Sequence, residues 1–349
     1  MKQRTTTSRK RDHVQLTMKK DVSFKKKTSG FEEWEFVHNA LPEINLSDVD
    51  TATMFLGKKL SFPFLISCMT GGYPEAETIN RQLAEVCEEY QIAMGVGSQR
   101  QAIENKTYHR SFSIVRSAAP SIPIIGNIGA PEVAALKDIS SIQKLADLIG
   151  ADAFAVHCNP LQEFLQPEGN TNFRGVLNGI EKLVKGLSIP VIVKEIGAGI
   201  SFDVAQRLTD IGVRTIDIAG AGGTSWAGVE ILRRIDNKEI DWNPFWDWGI
   251  RTTDALQEVV PLKKNIHPKL TIISSGGISN GIECAKSIAL GADMTASARP
   301  MLKALMSNGK KGLRITIEQL MLECKGAMFL IGVPSIEKLQ FSKNLIRKK

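Results

Sequence analysis

Short apolar runs rich in β-branched residues recur along the body of the chain, and each run ends in glycine or polar residues. They begin at Phe62, Ile92, Ile122, Asp152, Pro190, Thr215, Thr271 and Asp293. Segments with helical periodicity lie between them, for example residues 139–150 and 202–212. Strand, glycine-rich turn and amphipathic helix in succession are typical of a parallel sheet. The predicted fold class is therefore α/β, as a (β/α)8 TIM barrel, with a doubly wound open sheet as the alternative.

We favour the barrel because polar residues sit repeatedly at the carboxyl ends of the runs. Thr70, Ser98 and Asn127 follow the first three runs with small hydrogen-bonding groups. In a barrel, the carboxyl ends of the strands form the active-site face. Each of the three residues also fits an ordinary turn cap, but together they predict one polar rim.

One interval is long, because 56 residues separate the starts of the sixth and seventh runs. This segment contains four of the five tryptophans and would overhang the mouth of a barrel. We expect a lid or subunit contact, or else a local hydrophobic cluster around Trp242, Trp246 and Trp248. Residues 1–60 lie outside the strand pattern and are predicted to form a basic N-terminal arm and extension that packs on the barrel of residues 61–349.

The composition of the 349 residues, 43% hydrophobic and 23% charged, is typical of a globular protein. No apolar stretch approaches the roughly 20 residues that cross a bilayer, and the N-terminus lacks the apolar region of a secretory signal. The five cysteines are widely spaced without a CxxC pair. We therefore expect a cytoplasmic enzyme with reduced thiols, without a membrane span, a zinc site or an iron–sulfur site.

The net charge of +7 is unevenly placed along the chain. Residues 1–30 contain ten Lys or Arg and two Asp, whereas the remainder has 34 basic and 35 acidic residues. A basic arm suits nucleic acid, a membrane surface or a small anionic ligand. Within the arm, residues 19–27 are predicted to be a solvated tail, while Asp12 and His13 in "RKRDH" suggest a site.

The last two runs end in "SSGGISNG" and "SARPML". In a barrel these adjacent strand ends form a common phosphate site, because glycine lets backbone N–H groups approach an anion and a helix N-terminus adds its dipole. We expect Gly276, Gly277 and Ile278 to donate from the first loop, and Ala298 and Arg299 from the second. A phosphate-bearing cofactor would then lie across the mouth.

Lys194 ends the fifth run, and the polar residues around the mouth suit a flavin. A cation at this position stabilises negative charge at the N1–O2 edge of a reduced flavin ring. The alternative is an ion pair with Glu195, which we disfavour because adjacent strand residues face opposite sides.

The fourth run opens directly into "HCNPLQEFLQPEG", residues 157–169. This places His157, Asn159, Gln162 and Glu163 at one strand end, with groups that hold phosphates, orient a substrate or bind a metal. For His157 the alternative is a strand-end histidine bonded to the backbone.

Eight motifs follow one another from residue 9 to about residue 300: "RKRDH", "SCMTGG", "MGVGSQR", "GNIGA", "HCNPLQEFLQPEG", "VIVKEIGAGIS", "DIAGAGGTSWAGVE" and "SSGGISNG". Together they resemble the type 2, FMN-dependent isopentenyl-diphosphate isomerases. The combination of "NPLQE" and "QPEG" with "GVGSQR" is specific, whereas the glycine motifs fit many flavin barrels. The resemblance implies interconversion of isopentenyl diphosphate and dimethylallyl diphosphate in isoprenoid biosynthesis. It also implies reduced FMN as acid/base cofactor, Mg²⁺, and NADPH to keep the flavin reduced.

The resemblance further implies roles for individual residues. FMN would be contacted by Cys68, Met69, Thr70, Ser98, Asn127, Lys194, Thr224, Gly276, Gly277, Ile278, Ala298 and Arg299. The substrate would be held by Arg9, Lys10, Ser98, Gln99, Arg100, Asn159 and Gln162, with Glu163 binding the metal. Gln162 and His157 are the catalytic candidates. Trp226 and Glu230 fit either closure over the substrate or helix packing and capping.

The charges agree with a diphosphate substrate, because Arg9, Lys10 and Arg100 offer short charge-assisted bonds and Mg²⁺ would bridge the anion to Glu163. The alternative function is an FMN-dependent oxidoreductase on the same barrel. A hydroxy-acid oxidase needs a basic histidine and an arginine at the seventh strand end, and inosinate-dehydrogenase chemistry needs a cysteine after the sixth. The seventh strand end, "SSGGISNG", has no histidine or arginine, and the loop after the sixth, "GAGGTSW", has no cysteine.

A non-catalytic barrel whose arm binds nucleic acid is a third alternative, disfavoured by the neutral body of the chain. We expect no nucleic-acid partner, no membrane partner, and a homo-oligomer, either tetramer or octamer.

Overall fold

The computed structural model of the chain describes residues 6–234 and 240–348, with side chains described from Lys10 onward. Three strands precede the barrel: β1 (Trp34–Phe36), β2 (Thr53–Phe55) and β3 (Lys58–Leu60). The barrel strands are β4 (Phe64–Ile66), β5 (Ala93–Gly95), β6 (Ile124–Gly129), β7 (Ala153–His157), β8 (Val191–Lys194), β9 (Thr215–Asp217), β10 (Thr271–Ser275) and β11 (Met294–Ser297). One further strand, β12 (Leu345–Arg347), follows them.

Helices alternate with the barrel strands. They are α1 (Thr6–Lys19), α2 (Ala76–Glu89), α3 (Arg100–Glu104), α4 (Arg110–Ala118), α5 (Ala130–Ala134), α6 (Ser140–Ile149), α7 (Pro160–Leu165), α8 (Val176–Gly186), α9 (Phe202–Asp210), α10 (Trp226–Arg233), α11 (Thr252–Asn265), α12 (Gly281–Ala289), α13 (Arg299–Leu330) and α14 (Ile336–Leu339). Non-helical backbone angles at Asn308 and Gly309 interrupt α13.

The strands from β4 to β11 form one closed parallel barrel in sequence order, with β11 pairing back to β4. All eight predicted strands are therefore confirmed, and closure excludes the open sheet. The strands read as continuous apolar runs because both faces are buried, one toward the barrel interior and the other under the helices.

The hairpin of β2 and β3 fills the amino-terminal end of the barrel. Phe55 and Leu60 pack against Leu65, Ile125 and Ile192 inside it. These apolar contacts remove the hairpin from water and leave the carboxyl ends of the strands as the open face.

The residues before and after the barrel join each other, since β1 pairs antiparallel with β12. Helix α1 borders the carboxyl ends of the barrel strands, where the Arg299 guanidinium donates to the carbonyl oxygens of Thr17 at 2.8 Å and Lys20 at 3.0 Å. These bonds satisfy carbonyls at the end of α1 and place a cation at its C-terminus.

Residues 19–27 do not form a free tail as predicted, although the side chains of Lys25 and Lys26 are exposed to solvent. The N–H groups of Lys25 and Lys26 donate to Asp247 Oδ1 at 2.8 and 3.2 Å, and Lys25 Nζ lies 3.8 Å from the centre of the Trp246 ring. The partners come from the tryptophan-rich segment more than 200 residues later, so local charge counting does not reveal them.

The long interval after β9 contains both a cavity residue and a local aromatic cluster. Trp226 lines the mouth of the barrel, whereas Trp242 packs edge-on against Phe164 with ring centres 5.7 Å apart. Trp246 is buried, and Trp248 remains 60% exposed. No helix among the described residues has the length and apolar character needed to span a membrane.

Candidate active site

A cavity of about 650 Å³ opens at the carboxyl ends of the barrel strands, with α1 contributing one wall. Most of the predicted site residues line it: Lys10, Cys68, Met69, Thr70, Ser98, Arg100, Asn127, His157, Asn159, Gln162, Glu163, Lys194, Thr224, Gly276, Gly277, Ile278, Ala298 and Arg299. Gln99 is not in the cavity wall. Arg9 belongs to α1, but its side chain lies outside the described part of the chain.

The phosphate end of the cavity is built from glycine backbone. Gly276 and Gly277 have φ angles of 103° and 79°, and a Cβ on Gly276 would lie 2.0 Å from the carbonyl oxygen of Gly220. The N–H groups of Gly276, Gly277 and Ile278 have no acceptor among the described residues. Because α13 begins at Arg299 on the neighbouring strand end, a helix N-terminus faces the same place. This donor set fits a phosphate group.

Lys194 supplies a buried cation to the cavity wall. Its Nζ lies 3.3 Å from Asp217 Oδ2 and donates to the carbonyl oxygen of Glu195 at 2.6 Å. Burial opposes the ammonium charge, but Asp217, with smaller contributions from Cys68 and Glu195, outweighs it, so the pKa of Lys194 is raised. The Glu195 carboxylate accepts the N–H groups of Ile196 and Gly197, each at 2.6 Å. The partner of Lys194 is therefore Asp217 rather than the carboxylate of Glu195.

His157 and Asn127 form a bonded pair on the rim, with His157 Nδ1 2.9 Å from Asn127 Oδ1. Gln99 is fully buried behind them. Its Oε1 accepts the N–H of Asn127 at 3.1 Å and its Nε2 donates to the carbonyl oxygen of Leu145 at 2.9 Å. Gln99 thus holds the backbone that carries Asn127, and its amide points away from the cavity.

Lys10 and Arg100 contribute two further cations to the cavity wall. Lys10 Nζ donates to the carbonyl oxygens of Gly71, at 2.9 Å, and Ser98. Arg100 Nη1 lies 3.0 Å from Glu132 Oε1. An anionic ligand would meet both charges there, and it would compete with Glu132 for the guanidinium.

The segment after β7 forms a ladder of amide and carboxylate groups. Gln162 Nε2 donates to Glu230 Oε1 at 2.9 Å. Asn159 Nδ2 donates to both Gln162 Oε1 and Glu163 Oε1 at 3.0 Å, and Glu163 Oε2 accepts the N–H of Asn170 at 2.7 Å. Asn159 Oδ1 is buried and has no hydrogen-bond partner among the described residues. The ladder fixes which way the Gln162 amide faces.

Glu230 is fully buried and is held by two further partners. His13 Nε2 lies 2.8 Å from its Oε1, and the Arg233 guanidinium pairs with its Oε2. Arg233 also pairs with Glu168 at 2.6 Å. Burial opposes the Glu230 charge, but His13, Arg233 and the Gln162 amide outweigh it and lower its pKa to about 2. Glu230 is therefore an anion at neutral pH.

The residues present fit both FMN and a cation held jointly with a phosphate ligand. The glycine loop and the start of α13 suit the FMN phosphate, and Lys194 suits the ring. No three His, Cys, Asp or Glu side chains of the described ranges are grouped as a metal site. Glu163 and the unpartnered Asn159 Oδ1 nevertheless offer oxygen donors, and Mg²⁺ commonly takes its other ligands from water and substrate phosphates.

Sequence analysis missed Asp217 and Arg233 and left Glu230 undecided. A signal for Asp217 existed, since it is a carboxylate inside the apolar run "TIDIAG". The spacing of three between Glu230 and Arg233 was a second signal, because residues three apart share a helix face.

Known proteins of one family are similar to this chain over most of its length. The chain matches the family described as FMN-dependent dehydrogenase over residues 2–111 and 156–347. It is 47% identical over 351 residues to the isopentenyl-diphosphate delta-isomerase of Chlorobium limicola, covering 98% of this chain and 96% of that protein. It is 41% identical over 349 residues to the enzyme of the same name from a Nostoc species, covering 98% and 96%.

Solved structures share the fold. A lactate oxidase of Pediococcus acidilactici has a TM-score of 0.68 at 17% identity, covering 97% of this chain and 87% of that one. The flavin-binding domain of baker's yeast flavocytochrome b2 has a TM-score of 0.69 at 18% identity, covering 93% and 79%. At these identities the likeness concerns the fold alone. The full-length relatives decide the family: the chain belongs to the FMN-dependent dehydrogenase family and, within it, to the isopentenyl-diphosphate delta-isomerases.

Proposed function

We propose that this protein interconverts isopentenyl diphosphate and dimethylallyl diphosphate, with reduced FMN in the mouth of the barrel. One observation carries the proposal: the same cavity is lined by a glycine phosphate loop and buried Lys194, and also by Lys10, Arg100 and the ladder after β7. The first set suits a flavin nucleotide and the second an anionic substrate. The likeness to full-length isomerases supports the choice of substrate.

The cofactor would be held mainly by backbone. Gly276, Gly277 and Ile278 would donate to the FMN phosphate, and the α13 N-terminus would add its dipole. Lys194 would stabilise negative charge at the ring. When bound, reduced FMN supplies a group that gives and takes protons at the reacting carbons.

The diphosphate would be bound by Lys10 and Arg100, with Arg9 as a further proposed contact. Arg100 offers a planar fork that suits phosphate oxygens. Glu163 repels the same anion, so we propose that it acts through Mg²⁺, with Asn159 Oδ1 as a neighbouring oxygen donor. His157, fixed by Asn127, is proposed to help hold a phosphate.

Gln162 would orient the hydrocarbon end of the substrate. Allylic isomerisation adds one proton and removes another two carbons away, with no net oxidation or reduction. The Gln162 amide has no proton that titrates near neutral pH, so its contribution is placement. Because the Glu230 anion accepts its Nε2–H, the amide nitrogen faces Glu230 and the amide oxygen faces Asn159.

The finer assignments are proposals as well. We propose Mg²⁺ as the metal, NADPH as the reductant that keeps FMN reduced, a homo-oligomer (tetramer or octamer) and a cytoplasmic location. The motif resemblance supports the first two. The exposed Trp248 offers a contact surface for assembly.

A product assay tests the function. Protein loaded with FMN and reduced without oxygen is incubated with Mg²⁺ and isopentenyl diphosphate, and the released alcohols are identified after phosphatase treatment. We expect dimethylallyl diphosphate, and the same final ratio when the reaction starts from either isomer. Protein that holds reduced FMN but forms neither isomer from the other would contradict the proposal.

A further inference from the structure

The carboxyl ends of three neighbouring strands bring Lys194, Asp217 and Ser275 together. Lys194 ends β8, Asp217 ends β9 and Ser275 ends β10. Lys194 and Ser275 line the cavity, whereas Asp217 does not. Asp217 is only 1% exposed, so it lies behind the lysine.

The Asp217 carboxylate has a divided set of partners. Its Oδ1 accepts the Ser275 hydroxyl at 2.5 Å and the N–H of Ala219 at 3.2 Å. Its Oδ2 accepts no hydrogen bond from the described residues and lies 3.3 Å from Lys194 Nζ. One oxygen therefore anchors the side chain, and the other is left as a counter-charge for the ammonium.

A buried ammonium without a counter-charge loses its proton readily, because low polarity disfavours the charged form. Burial lowers the pKa of Lys194, but Asp217, with smaller contributions from Cys68 and Glu195, offsets burial, and the pKa is raised. The other titratable groups around Lys194 are Glu195 just after β8, Cys68 after β4, and His157 on β7. The Glu195 carboxylate accepts three backbone N–H groups, but burial outweighs them and raises its pKa to about 7. Burial also raises the pKa of Cys68, to about 11.

We propose that Asp217 is a positioning residue for the cofactor: it keeps Lys194 charged and holds the ammonium at the cavity wall, where the flavin ring lies. This inference rests on the proposed FMN site. Ser275 orients the carboxylate. Asp217 acts on the flavin through Lys194 and touches neither cofactor nor substrate.

The test is a pH titration of the visible absorption spectrum of bound, oxidised FMN, which responds to a charge beside the ring. Wild-type protein should show no step from Lys194 between about pH 6 and 9, because the lysine stays charged; a step near pH 7 from Glu195 is shared by wild type and variants. Asp217→Asn should show an additional reversible step in that window, because its buried lysine now titrates there. Asp217→Asn with Lys194→Met should lose the additional step. Asp210→Asn, a matched change at an exposed position of α9, should behave as wild type.

Bound FMN with the same titration in Asp217→Asn as in wild type would overturn the inference and leave the proposed function intact. Wild-type protein that takes up no FMN would instead defeat the proposed function. If Asp217→Asn does not fold, thermal unfolding of the double variant Asp217→Asn with Lys194→Met tests whether Asp217 acts through Lys194. A folded double variant supports a role through Lys194, since it no longer contains a buried lysine charge without a counter-charge. A double variant that also fails to fold means that Asp217 serves the fold itself, which contradicts the proposal.

Discussion

His13 Nε2 in α1 lies 2.8 Å from Glu230 Oε1 in α10, 217 positions later in the chain. This contact joins the basic N-terminal arm to the segment after β9, at the wall of the cavity. The same carboxylate oxygen accepts the Gln162 amide. Glu230 therefore links the placement of α1 to the orientation of Gln162.

Replacing Glu230 with Gln should reduce the pH dependence of stability. The Glu230 pKa is about 2 in the folded protein, against an ordinary value of 4.5. A carboxyl whose pKa falls on folding stabilises the fold above pH 4.5, and that contribution is lost as the pH falls toward 2. Glu230→Gln should lower the free energy of unfolding at pH 7 by roughly 1–3 kcal/mol. Denaturant unfolding at several pH values measures this.

The difference between wild type and Glu230→Gln should narrow as the pH falls from 4.5 to 2. Glu337→Gln, at an exposed position of α14, is the control and should track wild type. If the difference in unfolding free energy stays constant over this range, the partners of Glu230 do not lower its pKa.

Gly276→Ala should weaken FMN binding. The position has φ of 103°, and the added Cβ would lie 2.0 Å from a backbone carbonyl oxygen, so the loop must shift away from its phosphate-binding geometry. We expect at least a tenfold rise in the FMN dissociation constant, equal to about 1.4 kcal/mol. Fluorescence titration of the flavin-free protein measures it.

Gly326→Ala is the matched control, because a Cβ there meets nothing within 4 Å. It lies in α13, where alanine is favoured over glycine by about 1 kcal/mol. Its FMN affinity should equal that of wild type. If Gly276→Ala binds FMN as tightly as wild type does, this loop does not bind the FMN phosphate.

Arg100→Gln should raise KM for the diphosphate substrate by about 10- to 100-fold, because one charge-assisted contact to the anion is lost. The FMN content should not change. Arg110→Gln serves as the control, since Arg110 is an exposed residue paired with Glu77. An unchanged KM, measured at low ionic strength, would place the diphosphate elsewhere.

Glu163→Gln should raise the Mg²⁺ concentration needed for half-maximal activity by about tenfold or more, because a neutral amide is a weaker ligand for this cation. FMN binding should be retained. Glu181→Gln, on the outer helix α8, controls for loss of one carboxylate. The same Mg²⁺ dependence in Glu163→Gln and wild type would show that the metal is not bound by Glu163.

The barrel was predictable because its signals are local. Each strand is a short apolar run ending in glycine or polar residues, and the carboxyl-end rule placed Asn127, Gln162 and Lys194 in one cavity before any contact was known. Closure followed from the count and order of the runs.

The contacts between distant segments were not predictable. Lys194 faces Asp217 because β8 and β9 pair in parallel, and His13 meets Glu230 because α1 crosses the mouth. Neither pairing has a signature in the neighbouring sequence. Gln99 shares a motif with Ser98 and Arg100, which line the cavity. The backbone nevertheless turns its side chain away from the cavity, toward Asn127.

The central claim is an isomerisation without net redox change, and one measurement tests it most directly. Isopentenyl diphosphate is added without oxygen to Mg²⁺ and protein holding reduced FMN, and product and flavin absorbance are followed in the same sample. The account predicts many molecules of dimethylallyl diphosphate per bound flavin while the flavin stays reduced throughout. Oxidation of one flavin for each substrate consumed, with no isomer accumulating, would contradict it.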